Sequence, residues 1–225
     1  MLLLALAGCK AEVPTYRVHR LGGALKIDGL LLEGAWDAAG KAPLVRSIDG
    51  RAPALGTEAR LLWDDEHLYV GFVCEDRHIS TPFTKDDEPL YTSNVVEIFL
   101  APGGDLSRYA EVELSPADAL FDASFEGGPR RGMKLDWASG TRHAVHLDGT
   151  LNDPRDADRG WSAELAIPFA RLPGAPRPRG GDVWRFNLFR LLQGAGQPGE
   201  GQAYSPPLRP DFHALDRFAW LKFVD

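Results

Sequence analysis

Residues 160–169, Gly-Trp-Ser-Ala-Glu-Leu-Ala-Ile-Pro-Phe, decide the fold class of this chain. Apolar side chains recur here at every second position: Trp161, Ala163, Leu165 and Ile167. Because successive side chains of a strand point to opposite faces of its sheet, this period of two predicts a β-strand with one buried face. Pro168 then ends the strand, since proline has no N–H to donate to a neighbouring strand.

Segments of the same type recur along the whole chain. Further strands are predicted at 57–63, 68–74, 95–100, 109–114, 119–125, 141–147, 183–192 and 218–224. A short strand and turn are predicted at 25–29 and a helical turn at 32–39, whereas the Gly/Pro-rich segments 174–181 and 193–202 are typical of loops. No helical periodicity is sustained, so the sequence predicts an all-β, antiparallel sandwich of the jelly-roll type.

The charge balance argues against nucleic acid as a partner. The chain has 32 Asp and Glu against 25 Lys and Arg, a formal net charge of −7. Binding to phosphates needs concentrated positive charge instead. Most tryptophans lie in amphipathic segments and are predicted to pack in the core: Trp36, Trp63, Trp161, Trp184 and Trp220.

The two cysteines have different predicted roles. Cys9 follows Leu6-Ala7-Gly8 at the end of an apolar run, which looks like the lipobox of a bacterial lipoprotein. That run is shorter than the roughly 20 residues that span a bilayer, but it suits an export signal. Cys74 lies in an apolar strand and is expected to be a buried small hydrophobe.

We therefore expect a signal peptide at 1–9, a tether at 10–15 and a folded domain at 16–225. The protein would be exported and held by a lipid on Cys9 in the bacterial envelope, at the outer membrane on its periplasmic or surface face. A frayed apolar N-terminus is the alternative interpretation.

Several segments occur in an order that resembles one family. They are Lys26-Ile-Asp-Gly29, Glu33-Gly-Ala-Trp36, Leu61-Leu-Trp-Asp-Asp65, Val96-Glu-Ile-Phe-Leu100, Gly160-Trp161 and Trp184-Arg-Phe-Asn-Leu-Phe-Arg190. Their order and spacing resemble the family 9 carbohydrate-binding modules, which belong to the wider DOMON-like group of β-sandwiches. The resemblance extends over residues 16–225.

The resemblance implies non-catalytic binding of a poly- or oligosaccharide, such as the plant glycan xylan, between two aromatic side chains. A pyranose has an apolar C–H face that stacks on a ring and a rim of hydroxyls that needs hydrogen bonds. Tyr91 and Phe212 are the candidate pair, although both are equally compatible with loop packing. The resemblance places Tyr91 where the family more often has Trp, and it assigns hydroxyl contacts to Glu97.

The remaining candidate contacts are polar side chains and one further aromatic residue: Asn94, Arg108, Arg190, His213 and Trp137. Arg190 is equally compatible with a structural ion pair. Trp137 is a third platform for a sugar or, alternatively, a cap on the sandwich.

Family 9 modules that resemble this chain bind structural calcium. The segment 153–158 carries Asp153, Asp156 and Asp158, and oxygen-rich loops suit Ca²⁺. A structural calcium site in this loop is therefore an expectation, with solvated carboxylates that bind no ion as the alternative, and no other cofactor is required.

The sequence contains no recognised catalytic motif. It lacks Gly-x-Ser-x-Gly, His-Glu-x-x-His, the phosphate-binding loop and Cys-x-x-Cys. We expect no enzymatic activity and a carbohydrate as the ligand. The implied partners are a separate glycoside hydrolase or an uptake system.

Two other functions stay open. DOMON-like sandwiches also hold haem, for which Met133, Lys134 and His213 are the candidate ligands. The third interpretation is an envelope scaffold lipoprotein without a ligand site, which docks to other proteins.

Overall fold

A single hydrogen-bonded sheet contains all the strands that the structure describes. The structure is a computed structural model and describes residues 12–174, 177–194 and 199–225. The strands are β1 (Thr15–Arg20), β2 (Ala42–Pro43), β3 (Val45–Arg46), β4 (Thr57–Trp63), β5 (His67–Glu75), β6 (Val95–Ala101), β7 (Arg108–Leu114), β8 (Leu120–Glu126), β9 (Arg142–Asp148), β10 (Gly160–Pro168), β11 (Val183–Leu192), β12 (Glu200–Ala203) and β13 (Ala219–Val224). Short 3₁₀ turns lie at Gly34–Ala38, Leu90–Thr92, Pro102–Gly104, Phe169–Arg171 and Leu215–Arg217.

The sheet curls so that its two halves pack face to face. The strand order is β8-β7-β6-β11-β13-β1-β4-β5-β10-β9, and neighbours are antiparallel except that β1 runs parallel to both β13 and β4. Side chains of both halves, such as Ile98 on β6 and Leu165 on β10, belong to one buried cluster. This arrangement confirms the predicted antiparallel β-sandwich.

The outer face of β10 and its neighbours is covered by the segment that precedes β2. Trp36 packs there with Leu62 and Tyr69 in a second apolar cluster. Gly71 on β5 is required for this contact, because an added Cβ would lie 2.4 Å from a methyl carbon of Leu31. The helical turn predicted at 32–39 is present, but 25–29 contains no strand and lies across the sheet as a loop.

The nine long predicted strands are all present, with ends shifted by two residues or fewer. Sequence patterns missed β1, β2, β3 and β12. Three of these have four residues or fewer, which is too short for an alternating pattern to be recognised. The fourth, β1, begins at Thr15, the last residue of the predicted tether.

Four of the five tryptophans predicted in the core are buried, and so is Cys74. Trp220 is the exception, because 40% of its surface is exposed on β13. The Arg185 guanidinium lies 4.3 Å from the centre of its ring, which covers part of the exposed face.

The predicted signal peptide and its lipidated Cys9 lie outside the described residues. Within the described residues, no helix has the length and apolar character that crossing a bilayer requires.

Candidate functional site

A pocket lies on the outer face of the sheet half formed by β8, β7, β6 and β11. Alternate residues of these strands face away from the main core, and the register aligns them in rows across the sheet. One row runs from Phe189 through Glu97 and Glu113 to Phe121. The neighbouring row pairs Phe99 with Glu111. Acidic and aromatic side chains are thus interleaved on one surface.

The pocket encloses about 520 Å³ and is lined mostly by aromatic and aliphatic side chains. The lining comprises Ser47, Tyr91, Glu97, Phe99, Glu111, Phe121, Phe125, Arg130, Met133, Leu191, Gly201, Pro210, Phe212 and His213. A volume of this size suits a small molecule or one end of a longer chain.

Tyr91 stands on the β8 side of the pocket. It lies in the 3₁₀ turn Leu90–Thr92 that precedes β6, and its ring packs edge-on against Phe121 at 5.4 Å between centroids. Nearly half of its surface, 49%, remains exposed. The ring is therefore anchored by one edge and leaves apolar surface available to a ligand.

Phe212 stands on the β11 side and stacks on Phe189, with 4.3 Å between centroids and 10° between ring planes. Gly201 on β12 permits this position, since an added Cβ would lie 3.1 Å from the Phe212 ring. The two aromatic candidates thus flank the acidic rows from opposite sides.

Three buried glutamates, Glu97, Glu111 and Glu113, form a cluster at the base of the pocket, and the first two line it. One oxygen from each lies within 4.8 Å of the others. Burial, and then the charge of Glu111, raise the pKa of Glu97 well above its usual range. Burial raises the pKa of Glu111 to about 7. For Glu113, burial together with both neighbouring carboxylates raises the pKa well above its usual range.

His213 closes the pocket above this cluster. Its Nδ1 lies 2.7 Å from the hydroxyl of Tyr109, which in turn accepts the N–H of Arg130 at 3.0 Å. Both bonds are satisfied when the Tyr109 hydroxyl donates to Nδ1, and the proton then lies on Nε2. The Nε2 nitrogen is 3.9 Å from a carboxylate oxygen of Glu111. Burial, and then the charge of Arg130, lower the pKa of His213 to about 4. The imidazole is therefore neutral near pH 7.

Arg130 is the cation at the rim of the pocket. Its side chain is largely exposed and pairs with Asp211 at 2.7 Å. Its charge acts on Glu97 and Glu111, where it lowers the pKa against the larger effect of burial. Arg130 thus supplies hydrogen-bond donors at the rim of the pocket, and the glutamates supply acceptors at its bottom.

The structure brings four of the predicted site residues together in this pocket: Tyr91, Glu97, Phe212 and His213. Sequence patterns missed the other acidic and aromatic lining residues, chiefly Glu111, Phe121 and Phe125. The sequence did contain a pattern that indicates a shared face for these residues. Tyr109, Glu111 and Glu113 alternate along β7, and Phe121 and Phe125 lie on the same face of β8. What the sequence alone did not show is that both faces of these strands are covered.

Asn94 and Arg190 must be removed from the predicted site. Both are buried and bind Asp76: the Asn94 amide donates to one carboxylate oxygen at 2.6 Å, and Arg190 reaches the same oxygen at 3.1 Å. Arg190 also donates to the Thr57 hydroxyl at 3.0 Å and to the carbonyl of Glu75 at 2.8 Å. The alternative of a structural ion pair is the correct one for Arg190.

Arg108 and Trp137 also lie away from the pocket. Arg108 is exposed and pairs with Asp105 at 3.3 Å. The Trp137 indole donates to the carbonyl of Arg171 at 3.1 Å, and its ring packs against the main core. Trp137 is therefore a cap on the sandwich rather than a platform in this pocket.

The three aspartates of the predicted calcium loop do not converge. Asp158 is buried and accepts the N–H groups of Ile79 and Thr150, each at 2.7 Å. Asp153 binds its neighbour Arg155 instead, and Asp156 is exposed. Among the described residues, the three pocket glutamates are the sole set of acidic, histidine or cysteine side chains grouped closely enough for one ion.

The fold and the pocket define a β-sandwich binding module. A family model described as carbohydrate family 9 binding domain-like matches residues 27–145, more than half of the chain. The protein belongs to this family of carbohydrate-binding modules. No curated protein sequence matches the chain significantly.

Solved structures with the same fold include three of low sequence identity. A candidate carbohydrate-binding protein from Bacteroides uniformis is 18% identical, with a TM-score of 0.76 over 94% of this chain and all of that one. A family 9 module from Caldicellulosiruptor kristjanssonii in complex with cellotriose is 16% identical, with a TM-score of 0.65 over 93% of each chain. The complex of a family 9 module from that organism with glucose gives 16% identity and a TM-score of 0.61, over 92% of this chain and 95% of that one. At these identities the likeness shows the shared fold.

Proposed function

We propose that this protein captures a poly- or oligosaccharide without transforming it, by holding the end of the sugar chain in the pocket between Tyr91 and Phe212. The observation that carries the proposal is the pocket itself, which combines aromatic surfaces on two sides with hydrogen-bonding groups at its base and rim. These are the two kinds of surface that a pyranose needs.

The positions of the aromatic and polar residues in the pocket indicate the role of each. Tyr91 and Phe212 supply apolar surface for the C–H faces of the ring. Glu97, Glu111 and the Nε2 proton of His213 meet hydroxyls at the base. Because a buried hydroxyl without a partner costs about 1–3 kcal/mol, this polar base would select among sugars by the positions of their hydroxyls.

The family 9 structures bound to cellotriose and glucose suggest the first ligands to test. We infer a plant-type glycan, with cello-oligosaccharides and xylan oligosaccharides as the two leading candidates. In this proposal the chain is lipid-anchored through Cys9 at the cell envelope and delivers bound glycan to a separate glycoside hydrolase or uptake system.

The test is a glycan array followed by titration calorimetry with the best ligand. Tyr91→Ala and Phe212→Ala should each weaken binding about tenfold or more, which corresponds to about 1.4 kcal/mol. Trp220→Ala is the matched control, because it removes a half-exposed tryptophan that does not line the pocket. A folded protein that binds no glycan, or pocket variants that bind as well as Trp220→Ala, would refute the proposal.

One observation favours a haem site as the second candidate function. Met133 and His213 both line the pocket, although the sequence places them 80 residues apart. Against it, each ring nitrogen of His213 already faces a polar group, Nδ1 the Tyr109 hydroxyl and Nε2 the Glu111 carboxylate. A Soret band that sharpens on haem addition and is lost in Met133→Ala would support haem binding, and its absence would remove it.

A further inference from the structure

The three glutamates at the base of the pocket are arranged unlike any other acidic group in the described part of the chain. Glu97 and Glu113 face each other across β6 and β7, and Glu111 follows on the same face. Their exposed fractions are 2%, 0% and 5%. Three carboxylates are thus held together away from solvent by the sheet register itself.

Within the described residues, no positive side chain lies between these carboxylates. Neither oxygen of Glu113 has a hydrogen-bond donor in good geometry, although the side chain is fully buried and lies against the other two carboxylates. The Tyr91 backbone lowers the pKa of Glu113, but burial and the neighbouring carboxylates outweigh it. The positive charge that acts on Glu97 and Glu111 is that of Arg130, which is largely exposed and pairs with Asp211. Buried carboxylates without partners are expensive, so the cluster requires a positive charge from outside the chain or bound protons.

The spacing suits a metal ion. Ca²⁺ binds oxygen ligands at about 2.3–2.6 Å, so two oxygens on one ion can lie up to roughly 5 Å apart. The three glutamate oxygens lie within 4.8 Å of one another, which is inside that limit. Glu97 and Glu111 also line the pocket, so an ion has a path of entry and an open side.

We propose that Glu97, Glu111 and Glu113 bind one divalent cation of the Ca²⁺ type at the base of the pocket. Three carboxylates leave several of the six to eight coordination positions of Ca²⁺ open toward the cavity. Adjacent hydroxyls of a sugar are hard oxygen ligands that fit such positions. This second step, cation-dependent sugar binding, rests on the proposed function, whereas the metal site does not.

The metal site is tested without any sugar. The full chain is stripped with EDTA and titrated with CaCl₂, MgCl₂ and MnCl₂ by calorimetry, with the thermal midpoint recorded in parallel. We expect one Ca²⁺ per chain and a midpoint that rises with Ca²⁺ concentration. Failure of all three ions to bind the folded wild-type chain would overturn the proposal.

Substitutions locate the ion. Glu113→Gln should weaken Ca²⁺ binding at least tenfold, and Glu111→Gln is the second variant if the first does not fold. Asp156→Asn is the matched control, because it removes one exposed acid from the loop at 153–158 and should leave Ca²⁺ binding unchanged. Loss of binding in Asp156→Asn with retention in Glu113→Gln would place the ion in the loop and overturn the assignment.

Sugar titrations with and without EDTA separate this proposal from the proposed function. Sugar binding that is lost in EDTA and restored by Ca²⁺ supports both. Sugar binding in a chain that takes up no metal overturns the metal site and leaves the proposed function intact. Ca²⁺ binding that requires Glu113, in a chain that binds no sugar, supports the metal site while the proposed function fails.

Discussion

Glu164 on β10 and Glu113 on β7 are both glutamates with 0% exposure, yet their surroundings differ completely. One Glu164 oxygen accepts the N–H groups of Asp28 and Gly29, and the other accepts the Trp36 indole, all at 2.9 Å. Neither Glu113 oxygen has a hydrogen-bond donor in good geometry. Glu164 joins the covering loop to the sheet, whereas Glu113 faces two further carboxylates under a pocket.

Hydrogen-bond donors from the chain distinguish structural from functional acids at buried positions. A carboxylate that the fold uses has donors supplied by the chain itself, as Glu164 and Asp76 do. A carboxylate left without donors lowers the stability of the free protein, since burial disfavours its charge. Such a group is the stronger candidate for contact with a ligand.

The largest effect is expected where a buried partner is removed. Arg190→Met deletes the cation that pairs with Asp76 at 3.1 Å inside the sandwich. Removing one member of a buried ion pair costs about 3–5 kcal/mol. Urea unfolding should show this loss, and binding in the pocket should persist below the unfolding midpoint. A change under about 1 kcal/mol would contradict the structural role assigned to Arg190.

Glu164→Ala should have the next largest effect. It leaves two backbone N–H groups and the Trp36 indole without their acceptor, at a cost of about 2–3 kcal/mol. For a domain of this length the thermal midpoint should fall by roughly 4–12 °C. Calorimetric scans would measure it, with Glu126→Ala as the exposed control.

Glu113→Gln should do the opposite of Glu164→Ala in protein stripped of metal. It removes one of three mutually repelling buried acids and adds an amide that can donate to Glu97 or Glu111. We expect no loss of stability and a gain of up to about 1 kcal/mol, measured by urea unfolding in EDTA. A loss comparable to that of Glu164→Ala would mean that Glu113 is a structural acid after all.

The smallest effect belongs to an exposed acid with a titratable partner. Asp118 lies 2.8 Å from His143 Nδ1, and this hydrogen bond raises the pKa of His143 above its ordinary value. A raised histidine pKa stabilises the fold at low pH, and that contribution disappears as pH rises through the folded-state pKa. Asp118→Asn should therefore cost under about 1 kcal/mol at pH 5.5, after screening by solvent, and nothing at pH 9. Equal losses at both pH values would exclude the ion pair as the cause.

Much of the architecture was predictable from local patterns. The alternation in 160–167 and in the other long strands is visible because each strand has faces with different surroundings. Tyr91 and Phe212 were identified through the family resemblance, and the pocket contains both. Arg190 and Asn94 were misassigned, since an arginine in an aromatic strand looks the same whether it points into a cleft or into a buried ion pair.

Local sequence patterns predict the nine long strands and the class of sandwich, because alternation and turn residues act over a few neighbouring positions. Which acids meet depends instead on the pairing of strands in the folded protein. Glu97, Glu111 and Glu113 converge because β6 and β7 pair in one particular register. A shift of one residue would turn each set of side chains to the opposite face. Both faces of these strands are covered, so the pattern of apolar residues could not reveal which face carries the pocket.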